Sequence, residues 1–398
     1  MEVAPRSRLR CARESLSQER PLLVNRSTFR IAAAPAALLL TLTLAACGAA
    51  NEGGATDGGG DSTATDAAPE GESLSGSIAG AGSSAQAAAM EAWRAAFESA
   101  NPDATVTYDP VGSSGGREQF LSGAVQFAGS DAYLDDEEVT AAVERCGDGE
   151  LIQLPAYISP IAVAYNVEGI DDLQLSPETL ARIFTQEITT WDDPAIAADN
   201  PDATLPSTPI TPVNRSDGSG TTANFTDYLA AAAPDVWTYG EVDDWPVAGG
   251  TGGQGTSGVV AAVNQTDGAI GYADESQIGE LPAVNVGVGG EFVGPSAEAA
   301  AAIIDASPRV EGRSQFDYAI EIDRQTQESG TYPIVLAAYT MACTAYDDPA
   351  DAALTKAFLD YVISEEGQAV AQENAGSAPI SDTFRGNAQA AIDAIVTE

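Results

Sequence analysis

Three short stretches carry residue types that could hold an anion. The first is Gly80-Ala81-Gly82-Ser83-Ser84-Ala85 and the second Gly112-Ser113-Ser114-Gly115-Gly116. The third runs from Asn214 and Arg215 through Asp217, Gly218 and Ser219 to Gly220, Thr221 and Thr222. Glycine lets a backbone approach a ligand closely, and Ser and Thr hydroxyls donate hydrogen bonds. Where such a stretch opens a helix, the first N–H groups add a natural anion site. One stretch alone could equally be a helix cap or a linker. Three in one chain, one of them with an arginine, point to an oxyanion pocket. None is a P-loop, which needs GxxxxGK[ST], because the only Lys after Cys47 is Lys356, in a helical segment far from any Gly-rich turn. HExxH and EF-hand patterns are also missing from the sequence.

These stretches need strands and helices to place them. Leu74–Ala79 and Thr105–Tyr108 read as strands flanking an Ala-rich helix at about 86–99. Further strands are expected at Ile158–Asn166, Ile210–Asn214, Ile270–Tyr272 and Ile334–Ala342. Ser176-Pro177 opens a helix with a capping residue and Pro at its first position. Helices are also expected at 221–232 and over 350–374. Strands alternating with helices predict an α/β architecture with largely parallel sheets, and the length from residue 74 onward suggests two domains.

Composition excludes several functions. The chain has 398 residues, a formal net charge of −42 and no histidine. Nucleic acid is an unsuitable partner, since phosphate backbones are bound through Lys and Arg. Without His there is no Ser-His-Asp or Cys-His site, and no His-based zinc site. The hydrophobic fraction of 44% is enough for a sizeable core.

Charge is distributed unevenly. Residues 1–30 hold seven Arg against three Glu, whereas the chain from Cys47 onward holds ten basic residues against 56 acidic ones. Between them, 31–46 is a run of sixteen uncharged residues, too short to span a bilayer comfortably at roughly 20 residues. This pattern is a secretory signal. It ends in Leu44-Ala45-Ala46-Cys47-Gly48, which resembles the lipobox of bacterial lipoproteins, with Cys47 as the lipidated mature N-terminus. An ordinary cleavage site with an incidental Cys is the alternative. Residues 48–73 contain seven Gly, six acidic residues and no basic one. They read as a flexible tether with a reach of roughly 25–30 Å. With Cys11 in the leader and Cys47 lipidated, Cys146 and Cys343 remain as an even pair in an exported protein. That favours a disulfide over two separate buried thiols.

The order of motifs along 75–398 resembles the substrate-binding lipoproteins of high-affinity phosphate ABC transporters. The resemblance rests on GAGSSAQAAAMEAW at 80–93, YDPVGSSGGREQFLSG at 108–123, FAGSDAYL at 127–134 and LPAYISPIAVAYN at 154–166. It continues through ITTWDDPAIA at 188–197, NRSDGSGTT at 214–222, GTGGQGTSGVVAAVNQTDGAIGYA at 250–273 and TYPIVLAAYTMAC at 331–343. It implies a bilobal periplasmic-binding-protein fold of type II, with two α/β lobes joined by a two-strand hinge. Residues 1–46 would be the signal peptide and 47–73 the lipidated Cys and tether. One lobe would be 74–156 plus 335–398, and the other 157–334.

The resemblance also implies a phosphate site. Ser84 would offer its hydroxyl, Ala85 its backbone N–H, and Ser113 both. Arg215 would grip two oxygens, oriented by Asp217, and Ser219, Gly220 and Thr221 would close the cage. Asp131 would accept the proton that phosphate keeps near neutral pH and that sulfate lacks, an unpaired contact worth several kcal/mol of discrimination. The plainer reading makes Asp131 a cap for a helix near 134–145, for which Asp135 is better placed. The implied partners are inorganic phosphate, a membrane permease with its ATPase, and the membrane through lipid on Cys47. No cofactor, metal or catalysis is expected, and the body would be a monomer outside the cell membrane. The alternatives are a phosphate receptor that does not transport, a binder of another oxyanion, and a phosphatase using Ser113 or Ser84.

Overall fold

A computed structural model describes residues 74–398; the signal segment, Cys47 and the tether fall outside the described residues. The first strands and helices alternate: β1 (Gly76–Gly82), α1 (Ala87–Ala100), β2 (Ala104–Asp109), α2 (Ser113–Leu121), β3 (Phe127–Ser130) and α3 (Asp136–Cys146). The long β4 (Leu151–Asn166) follows, then β5 (Gln174–Leu175), α4 (Pro177–Phe184) and α5 (Pro194–Asp199). Next come β6 (Thr211–Arg215), α6 (Gly220–Ala232), β7 (Thr251–Gly253), α7 (Gly255–Gln265) and β8 (Ala269–Asp274). The chain continues through β9 (Asn285–Val288), β10 (Glu291–Val293), α8 (Ala297–Ala306) and β11 (Val335–Cys343). It ends in α9 (Pro349–Ile363), α10 (Glu365–Ala375) and α11 (Asp382–Asp393).

Eight strands form one sheet in the order β2-β1-β3-β11-β4-β8-β6-β7, and β10-β9-β5 form a small second one. The α/β expectation holds, but the sheet is less parallel than its alternation of strands and helices predicts. β1 pairs in parallel with β2 and β3, and β6 with β7 and β8. Between these groups, β11 and β4 run antiparallel to each other and to their outer neighbours. The reason lies in β4. Its Leu151–Pro160 stretch pairs with β11 and its Ile161–Asn166 stretch with β8, so one strand serves both parallel groups. All but its last residue are buried, which explains an apolar run without alternation.

Two boundaries differ from expectation. The first Gly-rich stretch is partly strand: Gly80 to Gly82 pair with Phe127 to Gly129. A Cβ on Gly82 would lie 1.9 Å from the Gly129 carbonyl oxygen, so only glycine allows this approach. The helix expected over 350–374 is two helices divided at Ser364, whose hydroxyl accepts from the Gly367 N–H and caps the second. The Ser176 cap is present, its side chain accepting from the Thr179 N–H. Cys146 and Cys343 are bonded, with Cα atoms 5.4 Å apart, joining the end of α3 to the end of β11. Among the described residues, no helix is long and apolar enough to cross a membrane.

Candidate functional site

The carboxyl ends of β1, β2, β3, β6 and β7 all open onto one place, which is where open α/β sheets hold ligands. Helices α2 and α6 begin there, and glycine makes their meeting possible. A Cβ on Gly220 would lie 2.7 Å from Ser113 Oγ and 2.8 Å from Asp131 Cβ. A Cβ on Gly112, at φ +97°, would lie 2.8 Å from both Asp217 Oδ2 and the Gly218 carbonyl. The three sequence stretches therefore meet, and Asp131 joins them from the end of β3.

Most helices supply a side-chain cap, and α2 does not. Helices α3 to α6 and α8 to α11 each have an N-cap side chain accepting from a backbone N–H. The N-cap of α2 is Gly112, which has no side chain to offer. Among the described residues, no partner is found for the N–H groups of Ser113, Ser114 and Gly115, nor for those of Gly220 and Thr221 in α6. Ser113, Gly220 and Thr221 are buried. Buried, unpaired donors at two facing helix N-termini call for an anion.

Arg215 is 3% exposed and stands at the end of β6. Its Nε donates to Asp217 Oδ1 at 2.8 Å and its Nη2 to Asp217 Oδ2 at 2.5 Å. One edge of the guanidinium is thus held by Asp217, leaving the Nη1 side. Burial alone would raise the Asp217 carboxyl, but the hydrogen bond and charge of Arg215 outweigh it and hold the group below the usual range. Asp217 Oδ1 also accepts from the Gly255 N–H at 3.0 Å, which ties α7 to the site.

Several hydroxyls are used in the same way. Ser113 Oγ accepts from the Asp131 N–H at 3.1 Å, and Ser219 Oγ accepts from the Thr222 N–H at 3.2 Å. An oxygen that already accepts from an N–H keeps its own proton for a ligand. Ser84 Oγ accepts from the Thr256 N–H at 3.1 Å and also pairs with Thr256 Oγ1 at 3.0 Å. Two expected roles take another form here. The Thr221 hydroxyl donates to Asp131 Oδ2 at 3.0 Å, so Thr221 faces a ligand through its N–H alone. The Ala85 N–H donates to Ser83 Oγ at 3.1 Å, because Ser83 caps the turn before α1.

Asp131 is 3% exposed, and its Oδ1 is buried with no hydrogen-bond partner. Burial pushes its carboxyl above the usual range, against the opposing pull of Ser83, Thr221 and the Arg215 charge. Helix α3 is capped by Asp135 in a reciprocal capping box with Glu138, so Asp131 is not needed for that task. Asn224 Nδ2 donates to the Asp131 carbonyl at 2.6 Å and fixes its backbone. Asp131 and Asn224 also line a cavity of about 1000 Å³, together with Asp227, Glu241, Arg313 and Arg324.

Sequence reasoning missed Ser83, Thr256, Asn224 and Tyr272. The Tyr272 hydroxyl accepts from the Arg215 N–H at 3.2 Å and pairs with Thr222 Oγ1 at 2.7 Å, and burial pushes it up to about 12. Asn224 lies one turn beyond Gly220, on a helix that also carries Thr221, Thr222, Thr226 and Asp227.

Comparison with known proteins follows the same line. A model of the PBP superfamily domain matches residues 67–366. Phosphate-binding protein PstS 3 of Mycobacterium tuberculosis is 37% identical over 360 residues, covering 89% of this chain and 95% of that protein. Phosphate-binding protein PstS of Xylella fastidiosa is 32% identical, covering 84% and 90%. Among solved structures, the high-affinity periplasmic phosphate-binding protein PfluDING, bound with phosphate, matches with a TM-score of 0.66 at 23% identity, covering 79% of this chain and 93% of its own. A putative phosphate ABC transporter substrate-binding protein with bound phosphate from Clostridium perfringens matches at 0.54 and 20%, covering 77% and 100%. The last two similarities establish a shared fold.

Proposed function

The chain belongs to the phosphate-binding proteins of the PBP superfamily, and from that premise we propose that it captures inorganic phosphate outside the membrane and delivers it to an ABC permease. The observation that carries the reading is the set of buried N–H groups of Ser113, Gly220 and Thr221, without a partner among the described residues, at the N-termini of α2 and α6 beside Arg215 and Asp131.

In this reading phosphate lies between two lobes, 74–156 plus 335–398 and 157–334, joined where β4 and the start of β11 cross. Arg215 grips two oxygens. The N–H groups of Ser113, Gly220 and Thr221 and the hydroxyls of Ser84, Ser113 and Ser219 surround the others. Asp217 holds Arg215 in place. The Ala85 N–H joins only if its bond to Ser83 opens. Asp131 Oδ1 accepts a hydrogen bond from the oxygen on which phosphate keeps its proton. Ligand contacts with the second lobe favour the closed form over the open one.

Binding is proposed without covalent chemistry. Ser113 Oγ accepts from the Asp131 N–H and in this reading gives its own proton to phosphate, as a ligand and not as a nucleophile. Lipid on Cys47 would hold the body, as a monomer, at the outer face of the membrane. Titration calorimetry with phosphate, arsenate and sulfate tests the function. Tight binding of the first two and none of the third is expected; equal sulfate affinity would overturn the role of Asp131, and no phosphate binding would overturn the function.

A further inference from the structure

Arg117 is 9% exposed and sits on α2, one turn after Ser113. All three arms of its guanidinium are engaged by protein. Nε donates to Glu138 Oε1 at 2.7 Å, Nη1 to Ser130 Oγ at 3.3 Å and Nη2 to Asp243 Oδ2 at 3.0 Å. Glu138 and Ser130 lie on the same side of the site as α2, beside Asp131. Asp243 comes from the opposite side, in the segment after α6. Its Oδ2 also accepts from Ser114 Oγ at 2.6 Å, and its backbone carbonyl accepts from the N–H of Ser219. One residue therefore holds both sides: its carboxylate takes the helix bearing Ser113, and its backbone carbonyl takes the cap of the helix bearing Gly220.

The backbones are close enough for this only because of Gly218, where a Cβ would lie 2.6 Å from Ser114 Oγ. Burial alone would raise the Asp243 carboxyl, but the Ser114 hydrogen bond and the Arg117 charge outweigh it and hold the group low.

We infer that the Arg117–Asp243 pair is a closure strut: it positions the two helix N-termini around the anion and sets how fast the anion leaves, while giving the anion no donor of its own. This rests on the phosphate reading above and on the division into two lobes. If 74–156 and 157–334 part on opening, the Asp243 bonds to Arg117 and Ser114 must break, and Asp243 returns to water. The bonds of Arg117 to Glu138 and Ser130 stay within one lobe and keep its side chain in place for reclosure. Arg117 and Asp243 are positioning residues, whose effect reaches phosphate only through Ser113, Ser114 and Ser219.

Phosphate release and association are measured by stopped flow, and affinity by calorimetry, on the full protein and on its Asp243→Asn, Arg117→Lys and Arg117→Met variants. Asp243→Asn keeps the size and an acceptor for Ser114 while removing the charge. It is expected to release phosphate about tenfold faster, with association changed far less, since interface changes act mainly on dissociation. Arg117→Lys should recover part of what Arg117→Met loses. The double variant Arg117→Met with Asp243→Asn should lose less than the two single losses combined, because they break one interaction. Unchanged thermal unfolding without phosphate would separate loss of closure from loss of fold. If the unaltered protein fails to bind phosphate, the functional reading falls. If it binds and Asp243→Asn releases at the same rate, the strut falls and the function stands.

Discussion

At the carboxyl ends of β1 to β3, the site offers hydroxyls, N–H groups and a carboxylate, Asp131. At the ends of β6 and β7 it offers Arg215, with Asp217 holding it from behind. The first rim has an arginine too, but Arg117 is committed to Glu138, Ser130 and Asp243. In the proposed reading the rims divide the work: the second would supply attraction for any oxyanion, and the first would ask whether that oxyanion carries a proton. Net charge hides this, because the −42 of the whole chain acts at long range, where salt screens it beyond roughly 8–10 Å. The pocket acts through contacts of about 3 Å.

Removing the attraction should have the largest effect. Arg215→Ala leaves half-buried Asp217 without its partner and deprives the anion of its cation. Phosphate affinity should fall at least a hundredfold by calorimetry, and a value near that of the unaltered protein would show that the second rim does not capture. Next comes selectivity. In Asp131→Asn the residue gains a donor, so sulfate should begin to bind while phosphate weakens by about tenfold. The unaltered protein should move the same way as pH falls, because burial already raises the Asp131 carboxyl and its protonated form would donate to sulfate. Sulfate binding that stayed absent in both tests would break the proposed division.

The smallest effect on affinity is expected at Asp274, away from both rims, where a second buried carboxyl provides a control. The Tyr157 hydroxyl lies 3.0 Å from Asp274 Oδ2 and 3.2 Å from the Ala375 carbonyl, while Oδ1 accepts from both the N–H and the hydroxyl of Ser276. Burial raises the carboxyl to about 7, against the hydrogen bonds of Ser276, Ser159 and Tyr157. A protonated Oδ2 can donate to Tyr157, leaving that hydroxyl to donate to Ala375. An unfolded Asp gives up its proton near pH 4, before the folded one does. The group's contribution to stability therefore declines as pH rises from about 4 to 7, by up to about 4 kcal/mol. Asp274→Asn should flatten that part of the stability profile in denaturant titrations and leave phosphate affinity within about twofold. An unchanged slope would show that Asp274 is ionised throughout.

Much of the site was legible because its parts are short and local in sequence. Gly112-Ser113 and Arg215 to Thr221 announce themselves by residue type, whereas Asp131 was reached only through the resemblance to a family. What could not be read was who faces whom. Arg117 looks like a solvated helix charge until Asp243, 126 residues away, is brought beside it. Ser83 and Ser84 are indistinguishable by type, and only the fold gives one to the turn before α1 and the other to Thr256. β3 is four residues long, too short to show a period, and β4 is interrupted by Pro155 and Pro160, so its full length and its bridging role were hidden. Ser364 followed by Glu365 and Glu366 was a readable helix start within a stretch that otherwise looked continuous.

The position of β11 bears on how such a chain acquires its shape. It is the last strand in sequence, yet it lies between β3 and β4, near the middle of the sheet. The pairings of β3 and β4 with their common neighbour wait until Val335–Cys343 has been made. The bond from Cys146 to Cys343 spans 197 residues and anchors β11 to the end of α3. Oxidation of that pair would mark the moment when assembly is complete.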